Sequence, residues 1–189
     1  MCGIIAVINK ENNANIDVYE GLQALQHRGQ DSCGIASENL TINYSGLVKN
    51  SFNAVDLTTL NSEIAIGHVR YATNSSINAN QPIYYPNTFD IYGCHNGNII
   101  NTKGVRGILK VKFNITLDEN ISDSKLLIIL FTEKLLALNN NSDNISDSSI
   151  QETFEFLSEN ILGSYNLAII IKNYGLIVHR DLKIGRAHV

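Results

Sequence analysis

Apolar positions along this chain alternate between a period of two and a period near 3.6, and the switches divide it into short strands and helices. Ile4 to Ile8 is a β-branched run suited to a buried strand, closed by the polar cluster Asn9 to Asn15. Val18, Leu22 and Leu25 then recur at helical spacing, so Asp17 to Gln26 is expected to be a helix that stops near His27-Arg28-Gly29. Gly34 to Ser37 and Leu40 to Tyr44 read as strands, Val55 to Ser62 as a short helix, and Glu63 to Tyr71 as a strand with polar residues at its end. Ala72 to Pro82, rich in Ser and Asn, is expected to be loop.

Phe89 to Cys94 reads as a further strand, broken by a tight turn at His95-Asn96-Gly97-Asn98, because Asn-Gly favours positive φ. Asn101 to Leu109 predicts a helix weakened by Gly104 and Gly107, and Val111 to Ile115 a strand. Ser122 caps a helix whose Leu126, Leu127, Leu130 and Leu135 make a broad apolar face. Ser149-Ile150-Gln151-Glu152 has the form of a capping box opening a second helix, after the polar loop Asn139 to Ser148. Tyr165 to Ile171 and Leu176 to His179 form a hairpin. Strands first, then two helices, then a hairpin predict one α+β layered domain rather than a doubly wound parallel sheet.

Composition narrows the function. The 189 residues carry a net charge of −4, which gives no electrostatic basis for binding nucleic acid or an anionic membrane. No apolar run approaches the roughly 18 residues that span a bilayer, and no secretory signal is visible. Cys2, Cys33 and Cys94 form no CxxC pair and leave one cysteine over in any disulfide scheme, which points to reduced thiols and a cytoplasmic protein.

Candidate chemistry gathers in polar clusters at the ends of predicted elements. Cys2 would become the first residue if Met1 were removed, leaving a thiol and a free α-amine on one carbon. An α-amine titrates near neutrality and can take the thiol's proton, directly or through water, giving a nucleophile with its own base. Cys2 is equally a small residue opening an apolar strand. Arg70 could be a surface charge, a buried ion-pair partner, or a planar fork gripping a carboxylate. Asn96 and the Gly97 N–H could satisfy a turn or form an oxyanion hole. Asp123 could stabilise a helix dipole or bind an ammonium group. A nucleophile, a carboxylate clamp, oxyanion donors and an ammonium acceptor together describe a site for an α-amino acid whose side-chain carbonyl is attacked.

Met1-Cys2-Gly3-Ile4-Ile5, Leu25 to Ser32, His68 to Thr73, Gln81-Pro82, His95-Asn96-Gly97-Asn98 and Ser122-Asp123-Ser124 occur in the order seen in class II glutamine amidotransferases, which the chain resembles from residue 1 to about Asp181. That family belongs to the N-terminal-nucleophile hydrolases, so the resemblance implies a four-layer αββα sandwich. The His27-Arg28-Gly29-Gln30 form of the second motif is most similar to the glutaminase half of the amidophosphoribosyltransferases. The resemblance implies Cys2 as nucleophile, Asn96 and Gly97 as oxyanion hole, Arg70 and Asp123 as holders of the carboxylate and ammonium of glutamine, and Thr73 and His68 in support. Arg28 would lie in a loop that closes over glutamine. Glutamine would yield glutamate and ammonia through a γ-glutamyl thioester, with the ammonia used to make phosphoribosylamine for purine synthesis.

The resemblance implies no cofactor or metal in this domain. Magnesium and phosphoribosyl diphosphate are expected in an ammonia-accepting synthase domain, within a homo-oligomer at full length. Some positions depart from the family pattern. Lys125 stands where an acidic residue is common, and Leu182 replaces proline after His179-Arg180-Asp181. Ile184 to Val189 is also what one frame of a common sequencing adaptor encodes. Residues 1–182 are therefore expected to be the glutaminase domain, 183–189 a non-native tail, and the phosphoribosyltransferase domain missing. Another class II acceptor, as in glucosamine-6-phosphate synthase, asparagine synthetase or glutamate synthase, and a catalytically silent fragment are the alternatives.

Overall fold

The computed structural model describes residues 2–71, 80–140, 142 and 144–181. In the first half these form β1 (Gly3–Ile8), α1 (Ala14–Ala24), a single 3-10 turn (Gln26–Arg28), β2 (Ser32–Ser37), β3 (Thr41–Ser45), two short helices α2 (Val48–Ser51) and α3 (Ala54–Thr59), and β4 (Ile64–Arg70). The second half contributes β5 (Ile83–Tyr85), β6 (Ile91–Ile99), α4 (Thr102–Phe113), α5 (Asp123–Leu138), α6 (Asp147–Asn160), β7 (Gly163–Ile171) and β8 (Gly175–Arg180). Each half supplies one antiparallel four-stranded sheet, with orders β1-β4-β2-β3 and β5-β6-β7-β8.

Side-chain alternation sorts these strands into layers. In the first sheet Ile5, Val7, Cys33, Ile35, Ala65 and Val69 pack with Val18 and Leu22 of α1. The intervening residues Ile4, Ala6, Ala36 and Ile66 face the other sheet, where they meet Tyr92, Cys94, Ala168 and Ile170. The outer face of the second sheet, through Ile91, Leu167, Ile169 and Ile171, packs against α5, whose Leu126 to Phe131 are all buried. The result is helix, sheet, sheet, helix: the four-layer αββα sandwich expected.

Three predicted features differ. The turn expected at His95–Asn98 is absent, because β6 runs straight through it, with Asn96 opposite Asn166 and Gly97 opposite Tyr165. A full ladder on β7 outweighs the local turn preference of Asn-Gly. The strand expected at Val111–Ile115 is the end of α4, which stops at Asn114 in a left-handed conformation (φ 57°). Its alternating apolar residues had no strand to pair with, and Val111 points to solvent. The capping box of α6 sits three residues earlier than expected, with Ser146 as cap and Ser149 as the third helical residue. No helix among the described residues is long and apolar enough to cross a membrane. Residues 183–189 lie outside the described residues.

Candidate active site

Strand alternation places the key side chains before any contact is considered. Ile4 and Ala6 of β1 point between the sheets, so Cys2, two residues earlier, belongs to the same face. Ile4 lies opposite His68 and Gly3 opposite Val69 in the β1–β4 ladder, and one more antiparallel step brings Cys2 opposite Arg70. In β6, Tyr92 and Cys94 point to the same interlayer space, and Asn96 continues that series. The open end of the sandwich therefore collects Cys2 and Arg70 from one sheet and Asn96 from the other.

Hydrogen bonds fix this meeting point. The Cys2 carbonyl accepts from Arg28 Nε at 3.0 Å and from Asn96 Nδ2 at 3.1 Å. Its thiol makes a long contact, 3.9 Å, to the Tyr71 carbonyl. Asn166 on β7 donates to the Asn96 carbonyl at 3.1 Å. Cys2, Arg70, Gly97 and Asp123 line one cleft of about 650 Å³ between the sandwich edge and the start of α5. Asp123 sits in the first turn of α5, where Ser122 caps the helix by accepting from Lys125 N–H. Its Oδ1 accepts from Ser124 N–H at 2.8 Å and its Oδ2 from Ile99 N–H at 3.3 Å. The carboxylate is thus held by two backbone donors while still facing the cleft.

The remaining predicted residues are placed differently. Arg28 touches the Cys2 carbonyl from the 3-10 turn and is not among the cleft-lining residues. His68 is fully buried between the sheets and lies behind Arg70 rather than in the cleft. Burial, with the neighbouring His95 and the Arg70 charge, pushes the His68 imidazole down to about 3, so it is neutral at physiological pH. Thr73 lies outside the described residues. Among the described residues no three His, Cys, Asp or Glu side chains gather as a metal-ligand set.

Gln81, His95 and Ser124 also line the cleft, although the sequence assigned them no task. Each adjoins a motif residue or stands within a motif, which is the only signal in sequence that could have marked them. Burial lowers the His95 imidazole from its ordinary value, while the Asp123 charge and the Ser164 carbonyl pull it partly back.

Close approach requires glycine at two positions beside the cleft residues, Gly29 and Gly97. A Cβ on Gly29 would fall 2.4 Å from the Arg70 carbonyl carbon and 2.8 Å from Tyr71 N. Its φ of −167° is ordinary extended backbone, so contact and not conformation demands glycine. A Cβ on Gly97 would fall 2.0 Å from the Ser164 carbonyl oxygen. Gly29→Ala must push the end of β4 away, and we expect a loss of about 2 kcal/mol, seen as a melting temperature lower by about 4–8 °C. An unchanged melting temperature would show that the loop yields freely and that Gly29 does not seat Arg70.

No family model matches the chain. Among curated proteins it is similar to the amidophosphoribosyltransferases of Schizosaccharomyces pombe (32% identical, covering 96% of this chain and 35% of that protein) and Methanocaldococcus jannaschii (36% identical, 96% and 38%). That of Escherichia coli K12 is 31% identical, with coverage of 96% and 36%. The chain therefore spans little more than a third of these relatives' length. Among solved structures, the glutamine phosphoribosylpyrophosphate amidotransferase of B. subtilis complexed with ADP and GMP matches with TM-score 0.68 and 25% identity, over 96% of this chain and 37% of that one. A second, described as the allosteric regulatory enzyme of purine biosynthesis, shares the fold with TM-score 0.70 at 23% identity, with the same coverage. Over nearly its whole length the chain is similar to the amino-terminal third of the amidophosphoribosyltransferases and shares the N-terminal-nucleophile fold of their glutamine amidotransferase domain.

Proposed function

We propose that this chain hydrolyses glutamine to glutamate and ammonia with Cys2 as the nucleophile. The observation that carries the reading is the convergence of Cys2, Arg70, Gly97 and Asp123 on one cleft, with Asn96 bonded to the Cys2 backbone. Removal of Met1 frees the α-amine, which takes the thiol proton. The thiolate attacks the glutamine side-chain carbonyl carbon, and the negative charge that develops on oxygen is met by the second Asn96 amide hydrogen and the Gly97 N–H. The C–N bond then breaks, the protonated amine returns its proton to the leaving nitrogen, and ammonia departs. Water attacks the thioester by the reverse proton path and releases glutamate.

Arg70 and Asp123 hold the two charged ends of the substrate, with Thr73 and His68 in support. Arg28 orients Cys2 through its carbonyl and belongs to the loop that closes over glutamine. The ammonia serves an acceptor domain that makes phosphoribosylamine from phosphoribosyl diphosphate, as the names of the relatives suggest. Magnesium belongs to that domain, and no step assigned to these residues runs through it. The full-length protein would be a cytoplasmic homo-oligomer. The relatives favour this acceptor over fructose 6-phosphate, aspartate or 2-oxoglutarate.

Intact-mass analysis of the purified chain, with and without a diazo-ketone analogue of glutamine, tests the chemistry. A chain lacking Met1 and carrying one adduct on Cys2 is the expected product. A retained methionine, or a folded chain that takes no adduct, would overturn the reading.

A further inference from the structure

The wall of the cleft holds a buried polar cluster that the chemistry above does not use. Gln81, His95 and Ser124 are 5%, 2% and 6% exposed and come from three separate segments. Gln81 Oε1 accepts from His95 N–H at 2.6 Å, and Gln81 Nε2 donates to Ser124 Oγ at 3.2 Å. Ser124 Oγ and His95 Nδ1 are 2.9 Å apart, and a longer 3.4 Å contact joins that hydroxyl to Asp123 Oδ1.

Counting protons orders the cluster. The Ser124 hydroxyl has one hydrogen and two lone pairs. Ring nitrogen Nε2 has no hydrogen bond of good geometry and faces the Ser164 carbonyl, where a bare lone pair would be repelled. The ring proton therefore belongs on Nε2, and Nδ1 accepts from Ser124 O–H. The hydroxyl oxygen then accepts from Gln81, and Asp123 Oδ1 is left to the Ser124 N–H. Each bond in the set has a donor and an acceptor.

Stability does not explain this arrangement, since an apolar cluster of the same shape would serve the core about as well. Position does explain it. His95 immediately precedes the oxyanion donors Asn96 and Gly97, and Ser124 immediately follows the carboxylate Asp123. Gln81 ties both to a third segment. We infer that Gln81, His95 and Ser124 are positioning residues that fix the separation between the Asp123 carboxylate and the Asn96–Gly97 donors, and so select an amino acid with a side chain of glutamine's length. Asparagine, one methylene shorter, cannot span both poles at that separation. This inference rests on the glutaminase reading above.

Ser124→Ala should raise the glutamine KM about tenfold, as expected for one buried hydrogen bond, with kcat within about threefold. It should also narrow the preference for glutamine over asparagine. Ser124→Thr, which keeps the hydroxyl, should restore both. Cys2 labelling separates this inference from the reading beneath it, because Cys33 and Cys94 are buried. The diazo-ketone analogue needs both poles, whereas iodoacetamide needs only the thiol. Ser124→Ala should label about tenfold more slowly with the analogue and at the parent rate with iodoacetamide. If the parent chain shows no preference for the analogue, the glutaminase reading fails. If the parent does and Ser124→Ala labels equally fast, the positioning role fails alone. Gln81→Met, which keeps volume and loses the amide, should repeat the selective loss and carries the test if Ser124→Ala does not fold. Two unfolded variants would make the cluster a folding element and overturn the inference.

Discussion

Cys2→Ala is expected to lower glutamine hydrolysis by a factor on the order of 10⁴ or more, the scale of losses when a covalent nucleophile is removed, while leaving the fold intact. The geometry supports both halves of that expectation. The thiol makes a long contact of 3.9 Å to the Tyr71 carbonyl, a weak bond whose loss costs the fold little. Residue 2 is held through its carbonyl, by Arg28 and Asn96, and alanine keeps that carbonyl. Residual activity above the ammonia released without protein would come only from the clamp and the oxyanion donors acting on water. The measurement is ammonia release by purified parent and variant, paired with thermal unfolding of each. A variant that melts like the parent and still turns over within tenfold of it would remove Cys2 from the mechanism.

Acid should unfold this domain through His68. The imidazole is fully buried, neither ring nitrogen has a hydrogen bond of good geometry, and its folded-state pKa is down to about 3. In the unfolded chain it returns to about 6.5. Above pH 6.5 both states are neutral and the ring costs nothing by protonation. As pH falls below 6.5 the unfolded state gains a proton that the folded state refuses, so stability is lost progressively until about pH 3. Between pH 6.5 and 5 the loss is about 2 kcal/mol, and across the full window about 5 kcal/mol. His95 and His179, both lowered by burial, act in the same direction. Against a net domain stability of about 5–15 kcal/mol this is a large share. Urea unfolding at pH 7 and pH 5 should show the difference, and His68→Leu should flatten most of it. Equal stabilities of the parent chain at the two pH values would contradict the buried neutral ring.

Much of the layering was legible in sequence because burial leaves a period. Val18 and Leu22 announce α1, and the β-branched runs at Ile4 and Ile169 announce strands, one at a sheet edge and one inside its sheet. What local pattern could not supply was the partner. Asn96-Gly97 reads as a turn until β7 is beside it, and Val111 to Ile115 reads as a strand until no strand is there to pair. The candidate site divides the same way. Cys2, Arg70, Asn96, Gly97 and Asp123 stand in short ordered motifs, so they could be named from resemblance. The cluster of Gln81, His95 and Ser124 depends on hydrogen bonds between residues up to 43 positions apart, and such pairings are invisible in one dimension. Arg28 shows the limit from the other side. Its motif was evident, yet its bond to the backbone of residue 2 could not be read from that motif.

That backbone contact has a practical corollary for anyone making this protein. Because residue 2 is gripped through its carbonyl by Arg28 and Asn96, residues fused ahead of Cys2 need not disturb that grip. A purification tag at that end would give well-folded material whose base is locked in an amide. A protease site placed directly before Cys2 would turn the same fusion into a switch, silent through expression and armed by one cut.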